Sequence, residues 1–376
     1  MNLLGIHLGL WIGKTVPAPA PIPVIEALEK VEVTHKHEGC SGFQLVFRIG
    51  RGGPIDLLDH RIFSKIKTDI RVVLTVAFNA IPRVLCDGII THIQLIPGNA
   101  PGESRLCATG EDVSCAMTME AKEEQHPAQP ELVIVNKLVA GYSKFGLVPM
   151  VMPPLLIDPP LPTERTPVQR GHDRDYIKDM GKRFGYVFHI IPGPVPGVNF
   201  AYWGPPVLFG VPQPALTVNM GPATNVKDLQ FVDDSQKPIQ VSGYVQDRTT
   251  NKKFPVQSLA STRIPTSVFR PSTQSTRTVL PMPTSGLSTA QALASAAGMM
   301  DDSFDAKVTV KGVLDTLRYN SILQPRRLVG LRGAGFRFDG IYYVKLVTHC
   351  IERGNYQQSF ELSRDGLGSL LPALPV

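Results

Sequence analysis

Apolar and polar residues alternate at every second position in 30–35 (KVEVTH) and again in 42–49 (GFQLVFRI). This is the period-two signature of strands with one buried face. A Gly-Arg-Gly-Gly turn at 50–53 follows the second of them. The stretch 71–78 (RVVLTVAF) is β-branched, and 84–96 (VLCDGIITHIQLI) reads as one long strand or as two joined near Gly88. A further strand is expected at 104–110. So many strands, with turn signals between them, in about 90 residues predict a small antiparallel barrel or sandwich.

The pattern then changes. Residues 130–146 have helical spacing, with Val133, Leu138, Val139 and Tyr142 on one face and Gly146 as the terminator. Residues 147–162 are apolar but broken by prolines, which predicts a loop or an extended crossing. A second helix is expected over 171–184, capped by Asp173, with Ile177, Met180 and Phe184 on one stripe. Gly185 ends it and 186–191 is a strand, giving a small α+β unit. Beyond the Pro/Gly-rich residues 191–206, strands are expected at 215–220, 229–232 and 239–247. The Ser/Thr/Pro-rich stretch 249–288 reads as a long, poorly structured connection. A helix at 289–300 and strands at 305–314, 328–331, 340–352 and 356–364 complete the chain. The fold class is thus mainly β: barrel, α+β insert, second barrel. The implied boundaries are an extended segment 1–29, a first barrel 30–112, an insert 113–206 and a second barrel 207–376, interrupted at about 249–288.

Composition narrows the function classes. A chain of 376 residues has room for two or three domains. With 43% hydrophobic and 19% charged residues it has the makeup of a folded protein. The 33 glycines and 34 prolines favour many short strands and turns over a few long helices. The net charge of +6 is spread along the chain, which fits an ordinary solvated surface better than a nucleic-acid footprint. Cys40, Cys86, Cys107, Cys115 and Cys350 are odd in number, and no pair has CxxC spacing, so reduced thiols are expected. The apolar residues 1–13 are too short for a membrane helix and lack a basic start. Synthesis in the cytoplasm without a signal peptide is expected, with this end docked on a neighbour or on the core. The segment 16–23 (VPAPAPIP) should be extended.

Four groups of residues invite a chemical reading. His35, His37 and Cys40 could supply part of a metal site, but no fourth ligand is evident and a strand end accounts for them as well. His172 and Asp173 resemble a phosphohydrolase ligand pair, yet the partners such a site needs are missing and a capped helix start explains both. Gly330, Gly333 and Gly335 are ordered GxxGxG, not GxGxxG, and no helix is expected after them, so a turn between strands is the better reading. Arg326, Arg327, Arg332 and Arg337 could face DNA or an acidic protein, but lack interleaved aromatic residues. No catalytic, cofactor-binding or metal-ligating residue is assigned, and no cofactor is expected.

Several stretches together resemble one family. Residues 107–119 (CATGEDVSCAMTM), with Gly110, Glu111 and Asp112, are similar to a signature that follows the first barrel of the phage late control gene D proteins. This hub family also forms the N-terminal part of VgrG spike proteins. Residues 132–149, 169–188 and 342–364, the last ending in Ser359-Phe360-Glu361-Leu362-Ser363-Arg364, resemble later segments of the same family in the same order. The opening LLGIHLGLWIGKTVPAPAP and the tail RDGLGSLLP are similar to hub subunits of extracellular contractile injection systems.

The resemblance implies a non-enzymatic structural subunit of a baseplate. It would form a homotrimer in which each chain carries two tube-like barrels, so that three chains present a ring of six. Such a ring joins a trimeric spike below to a hexameric inner tube above. Wedge or LysM-type adaptor proteins would bind at the periphery, and cargo or a tape measure could occupy the lumen. The chain ends about where the hub part of VgrG ends, so a separate spike protein is expected. The alternatives are a tube-initiator or spike adaptor of the same machine, a baseplate peptidoglycan hydrolase, and a DNA-binding packaging protein. A hydrolase should show a pocket holding a carboxylate of raised pKa. A packaging protein should bind DNA with steep salt dependence.

Overall fold

The computed structural model describes residues 2–3, 6–50, 66–78, 81–100, 102–154, 166–247, 250–258, 261, 263–270, 277–280 and 288–370. Part of the turn at 50–53, the second half of the crossing 147–162, and parts of 249–288 and of the tail lie outside the described residues.

The alternating segments become strands as their patterns require. Leu28–Lys36 turns Val31, Val33 and His35 inward, and Gly42–Ile49 does the same with Phe43, Leu45, Phe47 and Ile49. The long segment is a single strand, Ile81–Ile96. Gly88 does not break it but lets strands and side chains crowd. A Cβ at Gly88 would lie 2.2 Å from the Glu111 carbonyl oxygen and 2.7 Å from the Phe43 ring, and one at Gly110 would lie 2.4 Å from that ring. The apolar N-terminus is also a strand, Ile6–Gly13, antiparallel to Arg71–Phe78, with Ile6, Leu8 and Leu10 buried. It belongs to the first half of the molecule, and a short helix, Ile22–Ala27, lies within the segment expected to be extended.

Two separate barrels were expected. The structure has instead one fourteen-stranded sheet, mostly antiparallel. Its path runs Asn2–Leu3, Ile6–Gly13, Arg71–Phe78, Ile81–Ile96, Ser104–Asp112, Gly42–Ile49 and Leu28–Lys36. It continues through Gly340–Glu352, Asn355–Arg364 and Val308–Asp315 to Val226–Asp233. Among the described residues no strand pairing closes either half into a ring, so neither forms a closed barrel there. Gly340–Glu352 makes the seam. Its first residues pair with Leu328–Arg332, and Leu346 to Glu352 pair with Lys36 to Lys30 across the other half. The seam strand feeds two cores: Val344 and Val347 pack with Leu314, Leu331 and Leu362, whereas Ile351 packs with Val31, Phe47 and Leu74.

The α+β unit has its own core. The helix Glu131–Ala140 buries Ile134, Val135, Leu138 and Val139. Val133, expected on that face, is instead 46% exposed. The helix Asp173–Lys182 buries Ile177 and Met180 against Trp203, whose indole N–H donates to the Ile177 carbonyl at 3.1 Å. Asp173 does not cap this helix, because the N-cap residue is His172. The Asp173 carboxylate is buried and accepts from Lys122 at 2.8 Å, Tyr142 at 2.6 Å and Gln169 at 2.6 Å. Burial pushes its pKa up, but these donors outweigh that and hold it below the usual carboxylate value.

The Ser/Thr/Pro-rich connection is more ordered than expected. Lys253–Gln257 pairs with Ile239–Gln246, Arg277–Val279 adds in parallel, and the helix Thr289–Phe304 packs Ala292 and Ala296 on Val241, Val245 and Val256. Ser288 and Gln291 form a capping box at its start. Ser267–Phe269 pairs with Leu367–Ser369, and Asp365 accepts from Thr266 and Arg270. These strands are three to five residues long, too short for a periodic pattern, and Pro255 is tolerated because its strand lies at an edge.

Candidate functional site

Two arginines, Arg71 buried and Arg326 half-buried, join the insert to the sheet. Arg71, at the start of its strand, makes a bidentate pair with Asp87, Nε to Oδ1 and Nη2 to Oδ2, both at 2.7 Å. The same guanidinium donates to the carbonyls of Thr15 (2.9 Å), Phe145 (2.7 Å) and Gly197 (3.0 Å). Asn199 donates to Asp87 Oδ2 at 2.8 Å. The Arg71 and Asp87 side chains are 3% and 0% exposed. Sequence reasoning missed this cluster. Its signals are an arginine opening a β-branched strand and an aspartate in the middle of an apolar one.

Arg326 occupies the second joint, in the left-handed region at φ 62°. Its Nε donates to the Lys36 carbonyl at 2.9 Å and its Nη1 to the Ile190 carbonyl at 3.5 Å. Nη2 is buried and has no partner among the described residues. Burial lowers its pKa to about 10. Histidines surround it. His35 Nδ1 lies 3.2 Å from the Ser41 hydroxyl and its ring meets that of His349 edge-on at 5.5 Å. His37 Nδ1 lies 2.9 Å from the Tyr343 hydroxyl, and His189 packs on Tyr202 at 5.0 Å. Burial lowers the pKa of all four; His349 and Arg326 add to this at His35, Lys345, Arg326 and Arg263 at His37, and Arg326 and His37 at His189. For His37 and His349 the value falls to about 3.

The residues singled out from the sequence scatter. His35 and His37 join this joint, but Cys40 faces Arg174 at 2.6 Å instead. No group of three or more His, Cys, Asp or Glu side chains converges as metal ligands would among the described residues. Gly333 and Gly335 are turn residues with φ near 90°, as a turn requires, and Gly330 lies in Leu328–Arg332. The arginine cluster disperses. Arg337 stacks on Phe338 and pairs with Asp233 at 3.3 Å, and Arg327 binds Gln324.

Among the described residues two carboxylates, Asp112 and Asp302, have raised pKa values. Asp112 is pushed up by burial, partly offset by donors from Ser114 and Ser41 that occupy it. Asp302 is also raised by burial, but its side chain remains 55% exposed and is tied to Arg263 at 2.8 Å. Asp302 lines a cavity of about 270 Å³ together with Glu38 and Asp305.

The surface also offers open edges and exposed apolar residues. Val226–Asp233 pairs along only one side, leaving alternate main-chain groups free among the described residues. The hairpin formed by the end of Ile81–Ile96 and the start of Ser104–Asp112 exposes Leu95 and Ile96. Phe209, Val211, Phe269 and Phe336 are also exposed, by 59–83%. No helix is long and apolar enough to cross a membrane among the described residues.

Solved structures account for this architecture. The tail protein from Neisseria meningitidis MC58 superposes with a TM-score of 0.66 at 13% identity, covering 97% of this chain and 98% of that one. The chain has the fold of phage tail proteins. The 43 kDa tail protein of prophage MuSo2 from Shewanella oneidensis matches with a TM-score of 0.62 at 10% identity, over 95% and 98% of the two chains. The E. coli c3393 protein, a component of the type VI secretion system with structural similarity to T4 tail proteins gp27 and gp5, matches at 0.53 and 13% identity, over 93% and 78%. No protein-family model matches, and no curated protein sequence does. The tail-protein fold explains the layout: two β halves share a seam, and the α+β insert is riveted to their flank.

Proposed function

We propose that this chain is a structural baseplate hub subunit of a contractile phage-tail-like injection system, joining a trimeric spike to a hexameric inner tube. The observation that carries the reading is the seam. One chain holds two β cores side by side on a continuous sheet whose terminal strands remain open. The end-to-end likeness to tail proteins supports it. In this reading residues 30–112 with the N-terminal strand, and 207–376, are two tube-like barrel units, and 113–206 is the insert that meets peripheral baseplate proteins. An open edge exposes unpaired main-chain groups, and a closed cyclic assembly satisfies them by pairing edge to edge. Three such chains give six barrel units, matching threefold to sixfold symmetry. The chain is made in the cytoplasm and incorporated into the particle; no enzymatic step is assigned to it.

The test is the mass of the purified chain by light scattering, alone and mixed with the spike protein encoded beside it. A trimer, or three chains per spike, is expected. A stable monomer indifferent to the spike overturns the reading, and six chains per particle would indicate a tube-initiator instead.

A further inference from the structure

The two halves of the sheet repeat one strand order. In the first half Arg71–Phe78, Ile81–Ile96, Ser104–Asp112, Gly42–Ile49 and Leu28–Lys36 lie side by side. In the second Leu328–Arg332, Gly340–Glu352, Asn355–Arg364, Val308–Asp315 and Val226–Asp233 do so, and corresponding strands come in the same order along the chain. The match extends to single residues. Asp69 and Arg326 have φ of 65° and 62°, and their N–H groups donate to the carbonyls of Ile90 and Val344 at 2.9 and 2.8 Å. The N–H groups of Ile90 and Val344 donate in turn to the carbonyls of Ile70 and Arg327. One extra residue then shifts the register of each long strand, Thr91 in one and Lys345 in the other. Ile81–Ile96 therefore corresponds to Gly340–Glu352, and Leu28–Lys36 to Val226–Asp233.

Within the chain, the seam sets Leu28–Lys36 on residues 346–352, the flank of the long strand that Leu328–Arg332 leaves free. Among the described residues the two equivalent surfaces are both open. Arg71–Phe78 pairs with residues 81–89, and no strand lies on the same flank of residues 91–96. Val226–Asp233 has a single neighbour. Both surfaces expose apolar side chains: Leu95 is 49% exposed and Val232 46%, whereas His349 and Val33, at the equivalent seam, are buried. Open edges and exposed apolar groups of this kind mark contact surfaces. We propose that residues 91–96 of one copy of the chain take Val226–Asp233 of a second copy as an antiparallel neighbour, repeating the seam between chains. The register follows from the repeat. Across the first half Thr34, Gly42, Glu111 and Ile89 stand in line, and across the second Val232, Thr309, Ser363 and Tyr343 do. Thr34 meets Thr348 at the seam, four residues beyond Val344, so Val232 meets Gln94, four residues beyond Ile90, and Phe231 meets Leu95. The occupant is a second copy because both complementary surfaces belong to this chain, and the rotation that carries the first half onto the second carries the seam onto this contact. A head-to-tail contact of this kind closes into a ring or runs on as a filament; its closure at three copies rests on the hub reading.

The test is a cysteine pair, Gln94→Cys with Val232→Cys, in the full chain oxidised with the spike protein present. Both positions are exposed. At the equivalent seam positions the Thr34 and Thr348 hydroxyls lie 2.9 Å apart, so facing cysteines there are within disulfide reach. Thr34→Cys with Thr348→Cys, which closes within one chain, sets the oxidation conditions. The Gln94→Cys, Val232→Cys variant is expected to shift to a covalent species of three chains on a non-reducing gel, while either single substitution stays at the mass of one chain. Three copies per particle by light scattering without a cross-link between chains would overturn this proposal and leave the hub reading standing. Covalent ladders longer than three chains would support the contact and overturn closure at three. A chain that stays monomeric beside the spike and forms no cross-link would overturn both.

Discussion

Arg71 and Arg326 both sit where the insert meets the sheet, yet they are built differently. Arg71 has a carboxylate matched to its fork and three carbonyls around it. Among the described residues Arg326 has two carbonyls, no carboxylate in contact, an unpaired Nη2 and histidines around it. The first joint is electrically closed and acts as a rivet. The second leaves a buried donor that no acceptor meets among the described residues, with Asp112 acting only from a distance. Placement at a joint therefore does not by itself reveal whether an arginine holds the fold together; the partner list does.

Acid should separate the two joints most strongly. His35, His37, His189 and His349 have folded-state pKa values below the usual 6.5. The unfolded chain then binds more protons as pH falls, so stability is complete above about 6.5 and is lost below it. For His37 and His349, each near 3, the loss at about pH 5 is roughly 2 kcal/mol apiece. Protonation also adds charge beside Arg326, and near Lys345 and Arg263 in the case of His37. Hydrogen exchange at about pH 5 should show residues 35–37, 189–191 and 346–350 opening before 71–74, 87 and 145. Simultaneous opening would mean that the histidines do not weaken their joint selectively.

The next effect in size strikes the rivet. Asp87→Ala leaves the Arg71 charge buried with carbonyls alone, in effect converting it to the Arg326 arrangement. Breaking a buried pair from one side costs about 3–5 kcal/mol. Urea denaturation should show a loss in that range, and Asp87→Asn, which keeps the Asn199 neighbourhood filled, a smaller one. A loss under about 1 kcal/mol would show that the carbonyls alone satisfy Arg71.

How much of this was legible follows from the length of each pattern. Strands with four or more alternating positions, such as Gly42–Ile49, announce their inward face directly. Strands of three residues, such as Ser267–Phe269 and Arg277–Val279, carry no period, so 249–288 read as unstructured. Asp173 was misread because a carboxylate at a helix start is ordinarily a cap, and its partners Lys122 and Tyr142 come from distant parts of the chain. His35 could have been recognised: it holds an inward position after Val31 and Val33, where an apolar residue is expected. The joint around Arg326 could not, because it is made by residues more than 200 positions apart along the chain, which only the seam brings together.

The smallest predicted effect sharpens the contrast furthest. Arg326→Met removes two hydrogen bonds to carbonyls but also removes a charge that no carboxylate contacts among the described residues, Asp112 acting on it only from a distance. The two changes oppose each other, and the net change in urea stability at neutral pH should stay within about 1 kcal/mol. Methionine, like arginine, is a non-glycine residue, so the left-handed backbone at this position costs both alike. The pH response should change more than the stability does. Arg326 is one of the charges holding His35, His37 and His189 below their usual pKa, so its removal lets those values rise toward 6.5 and flattens the loss of stability in acid. A variant with wild-type acid sensitivity would mean that desolvation alone sets the histidines. A variant that lost as much stability as Asp87→Ala would mean that the two joints are equivalent after all.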